Sequence, residues 1–169
     1  MAISANLRVV VAFTLTGGLL GTAGQALADE RVERGSYLAA IMDCTGCHTP
    51  GTLVGKPDPQ RHLAGSEIGF KIPGLGIFYP PNLTPDPETG LGKWSEADII
   101  KAVRTGARPD GRMLAPVMPY HSYSRLTDAD ARALASYLKS LKPIRHKVPS
   151  MMGDSEKPTA PYLTVAMPN

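Results

Sequence analysis

Five consecutive residues, Cys44-Thr45-Gly46-Cys47-His48, carry the densest chemistry in the chain. Two thiols separated by two residues, with an imidazole directly after the second, form the C-x-x-C-H arrangement through which haem is attached covalently. Each thiol adds across one vinyl group of the porphyrin. The adjacent histidine is then held beneath the ring, where an imidazole nitrogen can bind iron. These are the only two cysteines among the 169 residues, so one attachment sequence implies one haem. Competing readings fit less well. A thioredoxin-like C-x-x-C is expected near a βαβ pattern, which this neighbourhood lacks. A structural zinc site needs four ligands, and the other histidines, His62, His121 and His146, are single and widely spaced. A chance match is expected in about one in a thousand chains of this size at average composition.

A bound iron needs a ligand on its other face, and that ligand separates an electron carrier from a haem that binds small molecules. Methionine suits a carrier, because its soft thioether favours the ferrous state and raises the potential. The possible donors are Met42, Met113, Met118, Met151, Met152 and Met167. Met42 is too close to the attachment sequence to reach the opposite face, and the last three belong to a proline-rich tail. Met118 is the preferred ligand, because Pro116 and Pro119 restrict its backbone and lower the entropy lost in fixing a long side chain. Met113 follows the turn-like Pro109-Asp110-Gly111-Arg112 and is the alternative. His121 is the rival from another ligand class and His62 a weaker one, although lone histidines more often sit at the surface or in hydrogen bonds.

Three helices must position these residues. The first is expected from about Glu30 to Asp43, with Val32, Leu38, Ala39, Ile41 and Met42 as its apolar members. Gly35 in its middle weakens it and makes sense where another backbone crosses closely. The second starts at Ser95, whose spacing to Asp98 is a capping-box variant, and stops at Gly106. The third is capped by Thr127, carries Asp128 and Asp130 at the positive end of its dipole and is ended by Pro143. Ala131, Leu134, Ala135, Leu138 and Leu141 recur at helical spacing on it, flanked by Tyr137 in a packing role. Between the helices, Thr49 to Leu63 reads as polar loop and Glu67 to Tyr79 as a short hairpin about Pro73-Gly74. Pro80-Pro81-Asn82-Leu83-Thr84-Pro85 reads as extended backbone against the haem edge.

The N-terminus reads as an export leader, residues 1–28. Arg8 precedes the apolar run Val9 to Leu15, and Ala26-Leu27-Ala28 has the small-x-small form of a cleavage site. The haem domain is then expected over 29–148 and a tail over 149–169, mobile unless Tyr162-Leu163-Thr164-Val165 docks on the domain or on a partner. Export places the thiols in an oxidising compartment, where haem attachment consumes both and leaves none for a disulfide scaffold. The formal net charge is +3, one less without Arg8, which argues against nucleic-acid binding. Lys56, Lys71, Lys93, Lys101 and Arg108 could steer an acidic partner, or form an ordinary solvated surface. Sixteen prolines and seventeen glycines indicate a loop-rich fold.

The order of helix, Cys-x-x-Cys-His, loops, short helix, methionine loop and terminal helix resembles a class I cytochrome c. Asn82-Leu83-Thr84-Pro85-Asp86, Gly90-Leu91-Gly92-Lys93-Trp94-Ser95, Pro109-Asp110-Gly111-Arg112, Met118-Pro119-Tyr120 and Leu126-Thr127-Asp128 are similar to one subgroup. That subgroup comprises the cytochrome subunits of bacterial periplasmic dehydrogenases acting on alcohols, aldehydes or sugar acids. The resemblance implies an all-α, class I cytochrome c-like fold: short helices and long loops around one covalent haem c, with room for one small β-hairpin. It implies thioether bonds at Cys44 and Cys47, iron ligation by His48 and Met118, and an electron-transfer protein rather than an enzyme. It also implies a periplasmic dehydrogenase or other redox protein as donor and a cytochrome or oxidase of the respiratory chain as acceptor. Many such subunits carry three haem domains and a C-terminal membrane anchor. This chain shows one attachment sequence and no later stretch apolar enough to span. The alternative reading is a haem enzyme or a small-ligand or redox sensor with an open or replaceable sixth site.

Overall fold

The computed structural model describes residues 19–168, with side chains from Gly24 onward. Arg8 and the apolar run of the expected leader therefore lie outside the described residues. The first helix, α1, spans Leu19–Ile41, so it begins earlier than expected and runs through Ala26-Leu27-Ala28. Every residue from Gly24 to Arg31 is exposed, and the helix first packs on the domain near Val32. It stops short of Asp43, which turns into the left-handed region at φ 53°, a conformation that Asp tolerates better than most residues. One-turn helix α2, Cys44–His48, follows at once.

Helix α3, Glu96–Thr105, forms where expected. Ser95 Oγ accepts from the Asp98 amide at 3.1 Å, and the Asp98 carboxylate accepts from the Ser95 amide at 2.9 Å, closing the capping box. Gly106 ends the helix at φ 76°. A further one-turn helix, α4, spans Tyr120–Tyr123 directly after Met118-Pro119. Helix α5, Asp128–Ser140, starts at Thr127, whose hydroxyl accepts from the Asp130 amide at 3.1 Å.

Helices α1 and α5 cross at Gly35, where α5 backbone occupies the space a side chain would need. The core follows from that crossing. Ala39, Leu134, Ala135 and Leu138 meet Cys44, Leu63, Leu91 and Ile99 in one buried cluster. Met42, Leu83, Trp94, Ile100, Val103, Leu126, Tyr137 and Leu141 pack around it, partly buried.

The expected hairpin is present as β1, Gly69–Ile72, and β2, Gly76–Phe78, with Phe70 opposite Phe78. The tail adds a third strand, β3, Tyr162–Leu163, parallel to β1 with Gly69 opposite Tyr162. Met152 bridges Ile77 from the other side. Both edges of the hairpin are therefore covered by residues 149–168, which removes the exposed-edge problem of a two-stranded ribbon. The domain is thus helical, with short helices, long loops and one small three-stranded sheet.

Candidate haem site

Helix α2 exposes its chemistry within a single turn. Cys44 is buried and Cys47 half-buried, and both are free thiols. Burial, reinforced by the Asp43 carboxylate, pushes the Cys44 thiol up to about 11 and moves Cys47 in the same direction. Asp43 caps the turn by accepting from the Gly46 amide at 3.2 Å.

His48 is 6% exposed, and burial lowers its pKa, favouring neutral imidazole. Its Nδ1 lies 2.8 Å from the carbonyl of Pro81. A carbonyl only accepts, so Nδ1 carries the proton and Nε2 keeps its lone pair. That is the state a metal-binding imidazole needs, with its other nitrogen oriented by an outer partner.

Pro81 is held by a buried polar network that the sequence shows only as a motif. Asn82 Nδ2 donates to the Ile144 carbonyl at 2.7 Å and to Thr89 Oγ1 at 3.0 Å. Its Oδ1 accepts from the Thr84 amide and hydroxyl at 2.9 and 2.8 Å. The extended stretch 80–85 is thereby fixed between His48 and the chain that leaves α5. Replacing Asn82 by alanine leaves several of these buried groups unpaired and is expected to cost about 2 kcal/mol in chemical denaturation.

Leu63 supports the same region at a conformational cost. It is fully buried and sits at φ 56°, unusual for a bulky side chain. Its amide donates to buried Thr49 Oγ1 at 3.0 Å and its carbonyl accepts from the Leu83 amide at 2.9 Å. Burial in the core cluster and these two bonds hold the strained residue in place.

The possible sixth ligands are sorted by their surroundings. Met118 is half-buried at the entrance to α4, whereas Met113 is 57% exposed and bridges Ala107. His121 is exposed, its ring 4.4 Å from that of Tyr120. His62 Nε2 lies 3.3 Å from the Tyr137 hydroxyl. His146 Nδ1 lies 2.7 Å from the Ala64 carbonyl, and its Nε2 is 3.1 Å from Glu67. Among the described residues, no group of three His, Cys, Asp or Glu side chains could hold a metal ion by itself. The donor set of α2, two thiols one turn apart and a neutral, oriented imidazole beside them, fits haem c and no simple metal site.

A family model described as cytochrome c matches residues 32–142. The chain belongs to the cytochrome c family. The match begins where α1 starts to pack and ends just after α5, so it spans α2, Asn82 and the Met118 loop. Membership implies haem c as the cofactor. Three relatives narrow the likeness. The cytochrome is 38% identical over 148 residues to the cytochrome c subunit of a quinone alcohol dehydrogenase from Gluconobacter oxydans, covering 85% of this chain and 29% of the relative. It is 41% identical over 115 residues to the fructose dehydrogenase cytochrome subunit of Gluconobacter japonicus, covering 67% and 22%. It is also 41% identical over 125 residues to the gluconate 2-dehydrogenase cytochrome c subunit of Pantoea cypripedii, covering 70% and 26%. The chain thus spans less than a third of the length of each of these relatives.

Two features of the cytochrome's site carry no side-chain signal in the sequence, or a misleading one. The Pro81 carbonyl is a backbone group from a segment 33 residues away from His48. Arg108, grouped by sequence with surface cations, is instead half-buried near the Trp94 ring, 5.9 Å from its centroid. It pairs with Asp110 at 3.2 Å, and its buried Nε has no partner. Burial lowers its pKa, with the nearby Arg112 acting in the same direction.

Proposed function

We propose that this cytochrome carries a single haem c and relays single electrons in the periplasm, from a partner dehydrogenase toward the respiratory chain. The observation that carries the reading is His48, neutral by burial and turned by Pro81 so that Nε2 is free, one residue after Cys47 in the only Cys-x-x-Cys-His of the 169 residues. When bound, haem c supplies a one-electron ferric/ferrous couple. The chain's own residues do the rest. Cys44 and Cys47 would tether the group, His48 would present a nitrogen ligand, and the partly buried Leu83, Ile100 and Val103 would offer it apolar surface. Met118 would supply a thioether ligand to the iron in this proposal, supported by its partial burial and by the prolines on either side.

Residues 1–28 serve as the leader in this reading, 29–148 form the haem domain, and 149–169 are a tail in which Met152 and Tyr162–Leu163 pair with the hairpin. Among the described residues, no helix is long and apolar enough to cross a membrane. The names of the relatives support a dehydrogenase as the partner that delivers electrons, with a cytochrome or oxidase as acceptor.

The sixth ligand supplies the test. The ferric protein is expected to show the weak far-red absorption band of methionine–iron bonding. Met118→Ala should abolish that band and lower the reduction potential, while Met113→Ala leaves both unchanged. Loss of the band in Met113→Ala instead would transfer the ligand to Met113. A wild-type protein without the band that binds added ligands freely would support the haem-enzyme or sensor reading.

A further inference from the structure

The Met118 loop and the attachment turn are joined by one hydrogen bond that neither segment's sequence announces. Tyr123, half-buried at the end of α4, donates its hydroxyl to the Met42 carbonyl at 2.8 Å. The two residues are 81 positions apart. The Met42 carbonyl lies at the C-terminal end of α1, where backbone acceptors have no intrahelical donor. Only Asp43 separates it from Cys44.

On the other side of the bond, α4 is locked directly behind Met118. The Tyr120 amide donates to the Met118 carbonyl at 2.8 Å, and the Ser122 and Tyr123 amides donate to the Pro119 carbonyl at 2.9 and 3.2 Å. The Ser124 amide donates to the Tyr120 carbonyl at 2.8 Å. A continuous rigid path therefore runs from Met118 through α4 and Tyr123 to Met42, Asp43 and Cys44.

We propose that Tyr123 is a positioning residue that keeps the Met118 sulfur in reach of the iron by strapping the Met118 loop to the attachment turn. The inference rests on Met118 being the axial ligand. Cys44 and Cys47 determine where the haem is tethered, whereas Met118 comes from a separate loop on a long, flexible side chain. A thioether is readily displaced by stronger nitrogen donors, so the closeness of its loop decides how well it competes. Without the strap, that loop relaxes and the ligand is lost more easily.

The probe is imidazole, titrated into the ferric protein while the methionine–iron band is followed. Tyr123→Phe removes only the hydroxyl and is expected to raise the apparent imidazole affinity about threefold to tenfold, the range expected for one hydrogen bond. The far-UV spectrum stays unchanged. Met118→Ala is run in parallel. If that variant lacks the band and Tyr123→Phe titrates like the wild type, the strap is refuted while the ligand assignment stands. If Met118→Ala keeps the band, the ligand assignment fails and the strap falls with it.

A second measurement needs no variant. In the wild type, saturating imidazole is expected to accelerate hydrogen exchange at the Tyr123 and Ser124 amides, because coupling between the two bonds is reciprocal. The Leu134 amide in α5 serves as the reference and should not change. Unaltered exchange at Tyr123 and Ser124 would overturn the proposal.

Discussion

The double variant Cys44→Ala, Cys47→Ala is expected to mature as a colourless protein with the mass of the bare polypeptide. Both thiols lie on the one-turn helix α2, and they are the only cysteines in the sequence, so no other sulfur can take their place. The loss extends to stability. Leu83, Trp94, Ile100, Val103 and Leu126 pack only partly buried around the core, so each keeps apolar surface that a porphyrin could cover. Burying apolar surface contributes about 25 cal/mol per Å², and a large flat ring shared among several such residues contributes several times what one side chain does. Mass spectrometry after extraction in acidified organic solvent reads the attachment, and thermal unfolding reads the stability. Haem still bound covalently to the double variant would sink the assignment of α2.

The second large effect is on folding. A Cβ added at Gly35 would lie 2.0 Å from the Ala133 carbonyl oxygen and 2.6 Å from the Tyr137 Cβ. Neither neighbour is the loose end of a side chain, so relief requires the two helices to separate. Separation exposes the buried Leu38 and opens the cluster in which Ala39 meets Leu134, Ala135 and Leu138. Alanine in a helix interior is ordinarily better than glycine by about 1 kcal/mol. The steric cost here opposes that gain and exceeds it. Gly35→Ala is expected to lower stability by about 3 kcal/mol net, and Gly35→Val to prevent folding. Gly153→Ala is the control, because its added carbon meets nothing closer than 3.5 Å. Denaturant midpoints separate the two. Equal midpoints would show that the helices cross elsewhere. The Arg34–Asp130 pair at the same crossing spans 2.9 Å, but its arginine is half exposed to solvent, so the pair adds too little to compensate.

Gly35 also illustrates what a sequence can disclose. A glycine inside a helical pattern is locally unfavourable, so its presence signals a close approach from outside the helix, and α5 supplies it. The caps at Ser95 and Thr127 were legible for a related reason. Their signal is a side chain that satisfies backbone donors three residues away, and local geometry alone suffices. The hairpin about Pro73-Gly74 belongs to the same class. The start of α1 was less legible, because residues 24–31 are all exposed, and propensity alone does not tell where packing begins.

The Cys-x-x-Cys-His spacing, the terminal-helix pattern and the subgroup motifs belong to the sequence by itself, because each depends on side-chain types at short separations along the chain. Tertiary structure alone decided that a Pro81 carbonyl orients His48, that Tyr123 reaches Met42, that Arg108 turns inward and that the tail completes the sheet. Those contacts join distant segments, and several use backbone carbonyls, which every residue carries alike. A group common to all residues leaves no mark in the order of residues, so only the folded chain shows which carbonyl meets which donor.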